Sequence, residues 1–138
     1  MPAPKAAKSH SLDAIFDSLR RLFLRHAPPF QPTHGKIRAK RDLHLTAPHP
    51  VVIPGAYGGK PVHPDMASLI LQKDYVGFYF MPVYMDPALK KKLSPSLVAL
   101  LKGKSCFYIK KLDPELLGHI EFALEEGVKS FRQRRWLD

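Results

Sequence analysis

The sequence predicts an α+β fold, a mainly antiparallel sheet with the N- and C-terminal helices packed on one face as a two-layer sandwich. Three observations predict it. Apolar residues recur at helical spacing near both ends of the chain. Between them, two β-rich runs meet at the short polar turn Lys73-Asp74, a hairpin signature. Later helices open on a capping residue followed by proline, at Asp86-Pro87, Ser94-Pro95 and Asp113-Pro114. Strands joined by hairpins exclude a doubly wound parallel sheet.

The first helix is expected from Leu12 to His26. Leu12, Ile15, Phe16, Leu19, Leu22 and Phe23 make one stripe, Ser11 caps it, Asp17 and Arg21 form an i,i+4 pair, and Pro28-Pro29 ends it. Residues 27–65 are rich in proline and glycine. Within them Leu43, Leu45 and Ala47 alternate with Asp42, His44 and Thr46, the period of a half-buried strand. Val51-Val52-Ile53, between prolines, reads as a short edge segment. The hairpin arms are Met66–Gln72 and Tyr75–Met81. In the second arm Val76, Phe78 and Phe80 share one face and Tyr75, Tyr79 and Met81 the other, so a central strand covered on both sides is expected. A short helix follows Asp86. Another runs through Leu97, Val98, Leu100 and Leu101 to Gly103. A strand spans Lys104–Lys110, with Phe107 and Ile109 on one face and Cys106 and Tyr108 on the other. The last helix runs from Pro114 to about Arg134 on the stripe Leu117, Ile120, Leu124, Val128 and Phe131.

The totals bound the class. With 138 residues the chain is one ordinary domain. Met1–His10, rich in Pro, Ala and Lys and without periodicity, reads as a flexible tail, and residues 11–138 as the domain. The single cysteine, Cys106, excludes a disulfide framework. There is no apolar run long enough for a membrane span and no secretory signal, so the default location is cytoplasmic. The net charge is +10, with 10 Lys/Arg against 3 Asp/Glu in residues 1–60 and 12 against 9 in residues 61–138. This basic excess bears on steering and on binding to anions, not on fold.

Few residues carry a chemical signal. Lys102-Gly103-Lys104-Ser105 ends like a phosphate-binding loop, but the required leading glycine is Val98 and the segment leaves a helix for a strand; it reads as a helix C-cap. Gly55-Ala56-Tyr57-Gly58-Gly59 reads as a turn needing positive φ, or as a loop over a binding site with Tyr57 as a contact. His44, His49, His63 and Asp65 could ligate zinc or iron but match no metal spacing; loop or surface histidines are the alternative. Glu121, Glu125 and Glu126 read as a solvated face supported by Glu125–Lys129, or more sharply as a metal-collecting ridge. Lys36, Arg38, Lys40 and Arg41, then Lys90–Lys92, then Arg132, Arg134 and Arg135 are either solvated charge or a nonspecific nucleic-acid surface.

The blocks Tyr75-Val76-Gly77-Phe78-Tyr79-Phe80-Met81-Pro82-Val83-Tyr84 and Leu101-Lys102-Gly103-Lys104-Ser105-Cys106-Phe107-Tyr108-Ile109-Lys110-Lys111 resemble the YdhG-like family of domains of unknown function. The resemblance covers roughly residues 12–135 and implies a frataxin-like α+β sandwich. Some members are proposed iron chaperones, a role using surface carboxylates. The first helix here offers only Asp13 and Asp17, and the chain is basic. The resemblance supplies no catalytic residues.

The expectation is therefore a non-enzymatic binding module. Its small ligand or protein partner would contact Tyr57, Tyr75, Tyr79 and Tyr84, on the sheet face or the Tyr57 loop. No catalytic residues are assigned, because no nucleophile and base can be paired from the residues. The alternatives are an iron-binding chaperone, with iron as the one possible cofactor, and a nucleic-acid-associated basic protein.

Overall fold

A computed structural model describes residues 11–137, so the expected tail at residues 1–10 lies outside the described residues. The first helix, α1, is Leu12–Leu24. Ser11 accepts a hydrogen bond from the Ala14 amide at 3.3 Å, and Ile15, Phe16, Leu19, Leu22 and Phe23 are buried. Asp17 does not pair with Arg21. It holds Arg41 at 2.6 Å, and Arg21 turns instead to the Ser18 hydroxyl. From the loop opposite, Arg41 divides its fork between Asp17 and Asp13, the latter at 3.4 Å, and its guanidinium also lies 4.3 Å above the Phe16 ring.

The strands are β1 (Gln31–Thr33), β2 (Asp42–Thr46), β3 (Val51–Val52), β4 (Pro61–Val62), β5 (Asp65–Leu71), β6 (Val76–Phe80), β7 (Leu101–Lys102) and β8 (Cys106–Ile109). Six of them form one sheet in the order β1-β2-β5-β6-β8-β7, with every neighbouring pair antiparallel. The expected edge segment at Val51 pairs with β4 as a separate two-stranded ribbon. The remaining helices are α2 (Met81–Met85), α3 (Pro87–Lys92), α4 (Pro95–Val98) and α5 (Pro114–Gln133). Asp86, Ser94 and Asp113 cap α3, α4 and α5 through their side chains, as the cap-and-proline pairs predict.

All five helices contribute buried side chains to one core with the inner face of the sheet, where Leu69, Phe78 and Phe107 lie. Val76, Phe78, Phe80, Phe107 and Ile109, which alternation puts on one face of their strands, are fully buried. Phe23 meets Phe78 edge-on at 5.9 Å, and Phe131 of α5 is held between Phe30 and Trp136. Gly127 lets α5 approach the sheet: a Cβ there would stand 2.7 Å from the Met66 sulfur and 2.8 Å from the Phe80 ring. Among the described residues no helix is long and apolar enough to cross a membrane.

Three elements depart from expectation. The strand of Phe78 is central, but helices cover only one of its faces, and it ends at Phe80; Met81 begins α2 instead. Leu101-Lys102 leave helix α4 early and pair with Cys106-Phe107. Gly103, at φ +72°, therefore makes the turn of a β-hairpin and not a helix C-cap. His44 and Thr46, on the polar side of the predicted alternation, are buried.

That burial has a cause in β5. Leu45 pairs with Ala67 and Thr46 with Asp65, so Met66 is an extra residue, a bulge. Met66 reaches the helical core, while Asp65 comes to the same side as Ser68 and His44.

Candidate functional site

The sheet face opposite the helices holds the candidate chemistry. Register places Thr33, His44, Ser68, Tyr79, Cys106 and Lys102 in one row across all six strands. At the β2–β5 end the row is polar. Asp42 Oδ2 lies 2.7 Å from His44 Nε2, and His44 Nδ1 lies 2.7 Å from the Ser68 hydroxyl. The Asp42 carboxylate also accepts from the Gly35 and Lys36 amides. Burial pushes its carboxyl up, but the Gly35 amide, His44 and the Lys36 amide together hold it below the usual carboxylate range. Thr46 donates to Asp65 at 2.6 Å, and Lys36 Nζ bridges both Asp65 oxygens.

Carboxylate, imidazole and hydroxyl thus stand in the order that nucleophilic catalysis uses. The surroundings do not suit acyl transfer. Ser68 sits in the middle of a strand paired on both edges, so the amides around it belong to the sheet ladder rather than to an oxyanion site. Asp65 brings a second carboxylate within 3.7 Å of His44 Nδ1, the side where negative charge would develop. The network is a satisfied polar cluster joining β2 to β5.

At the β6–β8 end the row is aromatic. Gly77 is the reason the rings fit. A Cβ there would lie 2.8 Å from the Tyr79 ring and 3.5 Å from that of Tyr75, so both tyrosines lean over a residue without a side chain. Tyr75 stacks on Tyr108 with centroids 3.8 Å apart and planes 8° apart. The neighbouring Tyr108 hydroxyl, and then burial, hold the Tyr75 phenol above its ordinary range. Burial raises Tyr79, with the Cys106 thiol beside it, and burial likewise raises Cys106. Cys106 is a packed side chain on this face, as predicted.

Tyr108 also lines a cavity of about 480 Å³ at the β7–β8 edge, with Ser96, Leu100, Lys102, Lys110 and Lys111. Asp113 and Glu115, at the start of α5, complete its wall. The size is that of a small-molecule site, roughly 300–1,000 Å³. Because Leu100 and Lys102 lie against Tyr108 and Cys106, lysines stand on both sides of the Tyr108 ring along the strand.

The four tyrosines expected as contacts, on the sheet face or the Tyr57 loop, fall in two places. Tyr75 and Tyr79 belong to the aromatic row. Tyr57 and Tyr84 line a different cavity, of about 420 Å³, with Ile53, Met81, Met85 and Trp136. They part because Tyr84 rides on α2, beyond the end of β6. The glycine loop does turn through positive φ at Gly55, Gly58 and Gly59, and at Tyr57 itself.

The other candidates disperse. Glu126 is buried between Lys92 and Lys129, Glu121 pairs with Arg25, and Lys129 meets Glu126 rather than the expected Glu125, so the three carboxylates do not act as one ridge. Lys129 first, against burial, and then Lys92 hold the Glu126 carboxyl low. His63 donates to the Ala47 carbonyl at 3.0 Å, away from the His44 network. Among the described residues no three His, Cys, Asp or Glu side chains gather in a way that could hold a metal ion. The basic groups do not share one surface. Lys36 faces Asp65 on the open side of the sheet, whereas Lys92 and Arg134 lie on the helical side against Glu126 and Trp136.

Sequence reasoning missed Tyr108 and the Asp42–His44–Ser68 chain. The signal for Tyr108 was its placement with Cys106 on the face away from Phe107. The signal for the chain was three polar residues at strand spacing opposite a serine, which only register brings together. Comparison with protein-family models, curated proteins and solved structures gives no match.

Proposed function

We propose that this chain is a non-enzymatic binding module of the YdhG-like kind that takes a small anionic ligand in the Tyr108 cavity. One observation carries the reading: Tyr108, backed by Tyr75 at 3.8 Å, walls a cavity that also holds Lys102, Lys110 and Lys111. A ring fixed by stacking offers a flat apolar surface at little entropic cost, and the ammonium groups attract an anion. Tyr79 steadies the stack from across Gly77. The buried thiol of Cys106 fits a reducing compartment, and we place the module in the cytoplasm.

Titration of phenyl phosphate and of benzoate into uniformly ¹⁵N-labelled protein tests this. Amide shifts are expected to concentrate in residues 96–102 and 108–116. Shifts confined to other surfaces, or none at millimolar probe, overturn it.

A protein partner is the second reading, favoured by a separate observation. Val52, Tyr57, Met81 and Tyr84 are 52%, 62%, 37% and 53% exposed, four of the six exposed large hydrophobic side chains among the described residues. Three of these four line the second cavity. In the same titration, shifts around Tyr57 and Tyr84 with either aromatic probe would move the binding surface there.

A further inference from the structure

Resting on that reading, we infer that the occupant of the Tyr108 cavity is a 5′-phosphorylated nucleoside. The cavity divides its chemistry into three parts. The first is the Tyr108 ring, one face of which is already taken by Tyr75. A purine or pyrimidine lying on Tyr108 extends this stack, and stacking tolerates any base. The second is cationic. Lys102, Lys110 and Lys111 line the cavity, and no carboxylate of the described residues forms an ion pair with them. Three ammonium groups around one opening suit a phosphate, which carries more charge than a carboxylate.

The third part separates a nucleotide from other aromatic anions. Asp113 and Glu115 bring carboxylates into the same cavity. Asp113 already accepts from the Leu116 amide at 2.8 Å, and Glu115 lies 3.4 Å from His119, yet each carboxylate has further acceptor capacity. Carboxylates repel a ligand that is anionic throughout. They reward one that places hydroxyl or amino donors beside its aromatic part, as a ribose diol or an exocyclic amine does. Benzoate and phenyl phosphate satisfy the ring and the lysines and leave these acceptors without a donor. A nucleoside phosphate satisfies all three.

Isothermal titration of the full chain with adenosine 5′-monophosphate, adenosine, ribose 5-phosphate, phenyl phosphate and inorganic phosphate tests the inference. The nucleotide is expected to bind at least tenfold more tightly than each of the other four. Lys110→Gln, at an exposed position, and Tyr108→Leu should each lower its affinity about tenfold, while Tyr108→Phe keeps it. Circular dichroism checks that Lys110→Gln stays folded, so the test does not depend on the Tyr108 variants alone. A 5′-phosphorylated tetranucleotide and its 5′-hydroxyl counterpart identify the source. If the phosphorylated strand binds more tightly than the mononucleotide, the ligand is a strand end; if it binds more weakly, a free nucleotide. Phenyl phosphate binding as tightly as the nucleotide, with both still dependent on Tyr108, overturns the nucleotide inference and leaves the cavity as an anion site. Failure of every probe, or binding indifferent to Tyr108→Leu and Lys110→Gln, overturns the cavity reading itself.

Discussion

His44 and Ser68 face each other across β2 and β5, with ring nitrogen and hydroxyl 2.7 Å apart and both side chains buried. His44 is the middle of a chain and Ser68 an end, so the two differ in what their loss leaves behind. His44→Ala takes a partner from both Asp42 and Ser68, although the Gly35 and Lys36 amides still hold Asp42, and is expected to cost about 3 kcal/mol. Ser68→Ala removes one bond and should cost about 1 kcal/mol. Urea denaturation of both single variants and the double variant measures the difference. Strict additivity would show that the two do not interact, whereas contact predicts a coupling of about 0.5–3 kcal/mol.

Two glycines of α5 should answer alanine with opposite signs. A Cβ at Gly118 meets nothing within 4 Å, while one at Gly127 would stand 2.7 Å from the Met66 sulfur. Gly118→Ala should gain about 0.5–1 kcal/mol from helix propensity. Gly127→Ala gains the same and loses about 1–3 kcal/mol to overpacking against the fully buried Phe80 ring, for a net loss. Thermal midpoints that move in the same direction would contradict the close approach of α5 to the sheet.

Gly77 makes room for rings rather than for a turn, so its replacement should harm binding more than folding. Gly77→Ala pushes the Tyr79 ring, 2.8 Å from the added carbon, and crowds Tyr75. Both rings are partly exposed and can swing outward. The expected result is a stability change within about 1 kcal/mol, an altered near-ultraviolet circular dichroism, and loss of phenyl phosphate binding. An unchanged aromatic spectrum would mean that the stack tolerates a methyl group and does not rest on this glycine.

The acid limb of stability should belong largely to two carboxyls. Asp42 and Glu126 are both held below their ordinary range in the folded chain. Their unfolded values are about 3.9 and 4.3. A group with a depressed folded value binds fewer protons when folded, so its contribution is complete above the unfolded value and is lost as pH falls through the folded one. Denaturation midpoints should therefore slip slightly below neutrality, where burial holds the His26 imidazole under its ordinary range, and drop further below about pH 4. Asp42→Asn and Glu126→Gln should each lower the neutral plateau and flatten that drop. A drop of unchanged steepness in both variants would assign acid sensitivity elsewhere.

Much of the fold was legible because it depends on local signals. Asp113-Pro114 and Ser94-Pro95 announce α5 and α4, Lys73-Asp74 announces the central hairpin, and the alternation of Val76, Phe78 and Phe80 marks the inner face. Leu101 misled because Leu97, Val98, Leu100 and Leu101 satisfy helical spacing, while pairing with Phe107 across Gly103 outweighs it. The candidate site was less legible. Tyr75 and Tyr108 are distant in sequence, and only the pairing of Gly77 with Tyr108 makes them neighbours. The sealing of His44 depends on Asp65 and Ser68 lying on one side, which a strict period of two forbids.

Met66 therefore acts as a phase marker in the strand. Before it Asp65 looks outward, and after it the even positions Ser68 and Ile70 do. Removing one amino acid between Asp65 and Ser68 would restore simple alternation with both still facing outward, but would leave one inward side chain where Met66 and Ala67 now fill the core, so this short stretch should tolerate substitution far better than any change of length.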